Sequence, residues 1–142
     1  MPDFVQIACP ACLTANRVPA GRVGEDPKCG KCGTPLLPGA PAELNEEQFD
    51  AFIRRTEIPV IADFWAPWCG PCRAMAPHFE RAAQQLKGRA RLVKVNTEES
   101  PRLAACMGIR AIPTVALFRN GAQVKRVAGA VDAPTLVGWL QG

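Results

Sequence analysis

The stretch FWAPWCGPCRAMAP, residues 64–77, decides how this chain folds. A run of bulky apolar side chains gives way to two cysteines, Cys69 and Cys72, with only Gly70 and Pro71 between them. Just upstream, IPVIADF (58–64) is a short apolar run suited to a buried strand. Downstream, the pattern predicts a helix from about Cys69 to Leu86, kinked in its interior by Pro77. Strand, short loop and helix together set Cys69 where unpaired backbone N–H groups and the positive end of the helix dipole favour an anion. A thiolate is stabilised in such a place, so Cys69 is the candidate nucleophile. Cys72, one turn further in, is expected to be the less exposed sulfur and to attack a mixed disulfide formed at Cys69.

The pattern extends outward as alternating helices and strands. Asn45 with Gln48 three residues later has the form of a capping pair for a helix over roughly 45–56, with Phe49, Phe52 and Ile53 on one face. ARLVKVN (90–96) predicts a strand, and SPRLAACMG (100–108) a short helix ended by Gly108. TVALFRNGAQVKRVAG (114–129) predicts a hairpin turning at Asn120-Gly121. A last helix is expected from about Asp132 to Gln141. The order αβαβαββα implies an α/β fold, a central mixed sheet flanked by helices.

The first thirty-three residues are different. They carry four of the chain's seven cysteines in the spacing C-x2-C-x16-C-x2-C: Cys9, Cys12, Cys29 and Cys32. Two residues between cysteines let one tight turn aim both sulfurs at a point, and two such turns complete a tetrahedron of thiolates. Gly30 and Gly33 flank the second pair, where tight or left-handed backbone is needed. This is a zinc-binding spacing. A segment this short buries too little apolar surface to fold unaided, and a structural zinc supplies roughly 10 kcal/mol or more. Four thiolates leave no open coordination position, so one structural zinc is expected, with no organic cofactor. Iron, or two disulfides, are the alternatives for the same sulfurs. TPLLPGAPAE, beginning at residue 34, resists helix and sheet and reads as a semi-rigid linker. The organisation is therefore a small lobe over 1–33, a linker over 34–42, and a larger domain over 43–142.

Of the 142 residues, 48% are hydrophobic and 21% charged, values typical of a globular protein, and the formal charge is only +4. The basic residues fall as singles and doublets, which argues against nucleic-acid binding. No apolar run is long enough to span a bilayer, and no signal peptide is visible at MPDFVQIACP. A reducing, cytoplasmic setting is the resulting expectation, and there the cysteines serve metal binding or redox chemistry.

DFWAPWCGPC, with GIRAIPT and FRNG further on, resembles the thioredoxin family over about residues 43–142, and W-C-G-P-C is a highly specific match. With the four-cysteine segment in front, the chain is similar to the bacterial zinc-ribbon (thioredoxin 2) branch. That resemblance implies the thioredoxin fold preceded by a small four-cysteine zinc ribbon, and reversible dithiol–disulfide exchange on target proteins. It also implies recycling by an NADPH-dependent flavoprotein thioredoxin reductase. A monomer is expected. Residue by residue, Asp63 matches the family's buried acid serving Cys72, and Lys94 the lysine beside that acid. Trp68, Gly70, Pro71, Ile112, Pro113 and Gly129 match the substrate-docking surface, with Pro113 at the cis-proline position. A strand-end cap is the plainer reading of Asp63, and a solvated strand residue that of Lys94.

His78, the single histidine, is given no role, and Cys106 is expected to be a small buried hydrophobe. Two rival functions remain: an interaction module or holdase built on the cysteine-rich lobe, and an oxidase or isomerase using the same dithiol.

Overall fold

The computed structural model describes residues 3–140. Two strands, β1 (Phe4–Ala8) and β2 (Ala15–Pro19), form an antiparallel hairpin followed by the short turn Ala20–Arg22. The rest runs β3 (Ala42–Glu43), α1 (Glu46–Arg54), β4 (Val60–Trp65), α2 (Gly70–Gln85), β5 (Arg91–Asn96), α3 (Pro101–Cys106), β6 (Thr114–Arg119), β7 (Ala122–Ala128) and α4 (Ala133–Gly138). The last helix ends at Gly138, with Trp139 and Leu140 in a turn, short of the expected end at Gln141, which itself lies outside the described residues.

The five-stranded sheet has the order β3-β5-β4-β6-β7. β3, β5 and β4 are parallel, while β6 and β7 join antiparallel. This is the mixed sheet the sequence implied, with one addition. β3 is only two residues long and follows a proline, so it carries no periodicity to detect. Alternation along β4 divides the core. Ile61 faces the layer of α2 and α4 with Met75, Phe79 and Leu136, whereas Val60, Ala62 and Phe64 face α1 with Phe49 and Phe52. The helix starts follow their caps: Asn45 and Gln48 form a reciprocal capping box, and Asp132 accepts the Thr135 N–H. The hairpin turns where expected, with φ of 52° at Asn120 and 80° at Gly121. α2 continues through Pro77.

The 34–42 stretch is less free than its prolines suggest. Leu36 and Leu37 are buried among Ile7, Val18, Cys9 and Cys29 as part of the small lobe's own core. Arg91, itself buried, donates from Nη1 to the Ala40 carbonyl at 2.6 Å. Burial without a carboxylate partner lowers its guanidinium to about 10. The stretch is thus packed at one end and clamped at the other.

The small lobe meets the larger one along α1 and at the end of the sheet where β4 begins. Glu57 N–H donates to the Gln6 carbonyl at 2.8 Å, Ala8 N–H donates to the buried Thr56 hydroxyl at 3.2 Å, and Arg55 reaches the Leu13 carbonyl at 2.8 Å. Gln48 donates to the Pro10 carbonyl, and Ala8 joins the Phe49 and Phe52 cluster. Lys87, just beyond α2, pairs with Asp26 at 2.6 Å. Thr56→Val keeps the side chain's shape but orphans the buried Ala8 N–H. The expected cost is about 1–3 kcal/mol, read from chemical denaturation.

Candidate redox and metal sites

β4 ends at Trp65, a short loop follows, and Cys69 becomes the N-cap of α2, with Pro71 in the first turn, where its missing N–H removes nothing from the helix ladder. Cys69 and Cys72 are joined by a disulfide. The Cys72 N–H donates to Cys69 Sγ at 3.2 Å, so the helix mouth offers a donor to the outer sulfur. The expected difference in exposure is small, 4% for Cys69 against 3% for Cys72, because Trp65, Ala66 and Ile112 pack around both.

The Ile112–Pro113 peptide bond is cis, and Cys69 Sγ lies 3.6 Å from the Ile112 carbonyl oxygen. The Gly129 N–H donates to the Pro113 carbonyl at 2.8 Å. Gly129 has φ of +115°, which L side chains rarely adopt, and a Cβ there would meet nothing within 4 Å, so the surface above it is open. Trp68 is 65% exposed, and its indole N–H donates to Glu98. Ile112 thus packs on the disulfide and Gly129 is tied to Pro113 behind it, while Trp68, Gly70 and Pro71 are exposed next to the cysteines in the chain. The Glu98 contact was not foreseen; an acid thirty residues away carries no local signal.

Asp63 is 1% exposed, and neither carboxylate oxygen has a hydrogen-bond partner. It is no strand-end cap: it lies within β4, opposite Lys94 of β5 in register. By alternation it shares the face of Ile61, toward α2. Burial pushes its carboxyl up to about 7, against the pull of the Lys94 ammonium. Lys94 is half-buried, with Nζ 4.3 Å from the centre of the Trp65 ring. Because the folded value lies above the ordinary 3.8, the buried acid adds no charging cost while protonated. It destabilises the fold increasingly as pH rises toward the folded value. Asp63→Asn is therefore expected to match the wild type below about pH 4 and to be more stable, on the order of 4 kcal/mol, above about pH 8. Urea denaturation at the two pH values checks this.

In the small lobe, the sulfurs of Cys9, Cys12, Cys29 and Cys32 all lie within 4.8 Å of one another, with Cys9–Cys32 at 3.5 Å and Cys12–Cys29 at 3.6 Å. A tetrahedral ion with sulfurs at about 2.3 Å needs edges of about 3.8 Å, so the four residues fit a single zinc. The two turns repeat one design. Leu13 N–H donates to Cys9 O at 2.8 Å and Gly33 N–H to Cys29 O at 2.9 Å. Ala11 N–H and Lys31 N–H reach the Sγ of Cys9 and Cys29, each at 3.4 Å. Thr14 and Thr34 contact the Sγ of Cys12 and Cys32. Gly33 has the expected positive φ of 79°, and Leu13 takes the matching place in the first turn at 66°. Gly30 is not left-handed; its N–H is held by Asn16.

Of the remaining candidates, His78 is half-buried on α2. Cys106 is exposed, not the buried hydrophobe expected, because the apolar side of α3 is supplied by Leu103 and Met107. Among the described residues no helix is long and apolar enough to cross a membrane.

A disulfide at a helix mouth beside a cis-proline, on a sheet of this order, defines a thiol–disulfide oxidoreductase. Comparison with known proteins agrees. The thioredoxin family model matches residues 40–142, and the model for the amino-terminal zinc ribbon of thioredoxin 2 matches residues 8–34. Thioredoxin C-3 of Corynebacterium nephridii is 43% identical over 134 residues, covering 94% of this chain and 92% of that protein. Thioredoxin 1 of a Nostoc species is 46% identical over 97 residues, covering 68% and 91%. A solved point-mutant thioredoxin from Halobacterium salinarum superposes with a TM-score of 0.68 at 33% identity, covering 75% and 92%. The chain belongs to the thioredoxin family and carries a zinc ribbon in front.

Proposed function

We propose that the protein is a cytoplasmic, monomeric protein-disulfide reductase whose working couple is Cys69 and Cys72. In the dithiol form, the Cys69 thiolate attacks a target disulfide. One Cys69–target S–S bond forms, the target's S–S bond breaks, and one target thiolate leaves. The Cys72 thiolate then attacks Cys69 Sγ, closing the internal disulfide and releasing the second target thiol. Two electrons pass to the target, and an NADPH-dependent flavoprotein thioredoxin reductase supplies two more to restore the Cys69–Cys72 dithiol. The disulfide at the mouth of α2, with the Cys72 N–H on Cys69 Sγ, carries this reading.

Asp63, facing α2 and held near neutrality, is the proton acceptor and donor for Cys72, and Lys94 biases that exchange. Trp68, Gly70, Pro71, Ile112, Pro113 and Gly129 form the docking rim. Cys9, Cys12, Cys29 and Cys32 hold one structural zinc, which fixes the ribbon and takes no part in the exchange. Residues 1–33, together with Leu36 and Leu37, form the ribbon, the rest of 34–42 its connection, and 43–142 the catalytic domain. Mixing the reduced protein with a disulfide-bonded protein tests the assignment. Mass spectrometry should find Cys69–Cys72 oxidised in proportion to the disulfide reduced, with the ribbon cysteines unchanged. Oxidation of ribbon cysteines in place of that pair would refute it.

A further inference from the structure

The ribbon carries a groove used by neither the disulfide nor the cysteine cluster. It has a volume of about 390 Å³ and is lined by Asn16, Arg17, Arg22, Glu25, Lys28 and Gly30 among others. Arg17, Arg22 and Lys28 are exposed. Among the described residues the ion pairs are Arg54–Asp50 and Lys87–Asp26, so these three cations lack a carboxylate partner and Glu25 is the lone acid of the groove.

The backbone adds a direction. Gln6 turns its N–H and C=O away from β2, donating to Glu57 Oε1 and accepting the Glu57 N–H. Arg17 lies opposite Gln6 in the β1–β2 register. The two therefore form a non-hydrogen-bonded pair, and the Arg17 N–H and C=O face outward from β2. Pro19, with no N–H to offer, closes this edge at one end, and the Gly30 N–H bonded to Asn16 bounds it at the other, at 3.0 Å. The result is a short open strand edge ringed by three cations.

We propose that this edge docks an extended acidic segment of a partner protein, pairing with the Arg17 backbone and setting carboxylates against Arg17, Arg22 and Lys28. Charge complementarity selects the occupant, and the strand edge selects its extended form. The groove presents no aromatic platform for a base: Phe4, nearby, already lies under the Arg17 guanidinium at 4.7 Å. Because the ribbon is fixed to α1 and to the start of β4, a client anchored here is held at a set offset from the Cys69–Cys72 couple. This names how the proposed reductase recruits clients, but the experiment below reads binding alone and stands apart from turnover.

A fluorescent peptide alternating glutamate and valine is titrated with the full zinc-loaded chain and followed by anisotropy. A lysine–valine peptide and a single-stranded oligothymidylate run beside it. Saturable binding of the acidic peptide is expected, weakened by salt and accompanied by amide shifts at Arg17 and Lys28 in the NMR spectrum. Neutralising Arg17→Gln, Arg22→Gln and Lys28→Gln together should weaken binding about tenfold or more, while Glu25→Gln should tighten it about twofold. Zinc content verifies that each variant's ribbon is intact. Should the triple variant lose metal, the opposite sign at Glu25 decides the matter. Absent binding, an unchanged affinity in both variants, equal binding of the lysine peptide, or preference for the oligonucleotide would each overturn the proposal.

Discussion

Serine at position 69 is expected to abolish protein-disulfide reduction, by more than about a thousandfold, whereas serine at 72 stalls the protein as a mixed disulfide with its target. The reason lies in where α2 begins. Cys69 is the N-cap, and its sulfur accepts the Cys72 N–H; a thiolate formed there inherits that donor and the dipole behind it. No other sulfur of the larger domain shares the position, since Cys106 is exposed on α3. A serine hydroxyl at 69 is not deprotonated under such mild stabilisation and forms no disulfide. With Cys72→Ser the first exchange proceeds, but nothing displaces the target from Cys69. Non-reducing electrophoresis separates the outcomes: a band at the summed mass for Cys72→Ser, and none for Cys69→Ser. Wild-type turnover in either variant would end the mechanism proposed above.

Metal removal should have the second large effect, confined to the ribbon. Its apolar core is small, built mainly from Ile7, Val18, Leu36 and Leu37 with Cys9 and Cys29. Such a core does not hold a lobe of this size together alone, and a four-thiolate zinc contributes roughly 10 kcal/mol or more. Stripping it with a strong chelator is expected to collapse hydrogen-exchange protection at Ile7 and Val18 by more than about a thousandfold, while β4, β5 and β6 stay protected. Withdrawal of Ala8 would also uncover part of the Phe49 and Phe52 cluster. A ribbon that stayed protected after complete zinc loss, with four free thiols, would show that the metal is dispensable.

Much of this was legible in the sequence because the signals are local. The capping pair Asn45–Gln48, the Asn120-Gly121 turn and the strand–loop–helix around Cys69 each specify backbone within a few residues. The C-x2-C turns likewise aim two sulfurs without help from elsewhere. What escaped was non-local. Leu36 and Leu37 sit among prolines, and only the ribbon's need for core makes them interior. Arg91 is buried because a carbonyl fifty-one positions away receives it. Thr56 and Glu57, which fasten the ribbon, look like ordinary loop residues until β1 is laid beside them. For Cys106 the residue type suggested burial, but its place on α3 is set by which neighbours reach the core first.

The left-handed residue closing each cysteine turn has a consequence for assembly order. Gly33 takes that shape freely, whereas Leu13 does so at about 1–2 kcal/mol, offset by its packing against the α1 cluster. The Cys29–Cys32 loop thus closes without backbone strain, while the Cys9–Cys12 loop needs a partner surface to hold Leu13 in its left-handed shape. Capture of the ion should begin at the later pair in the chain and finish at the earlier one, after α1 has condensed.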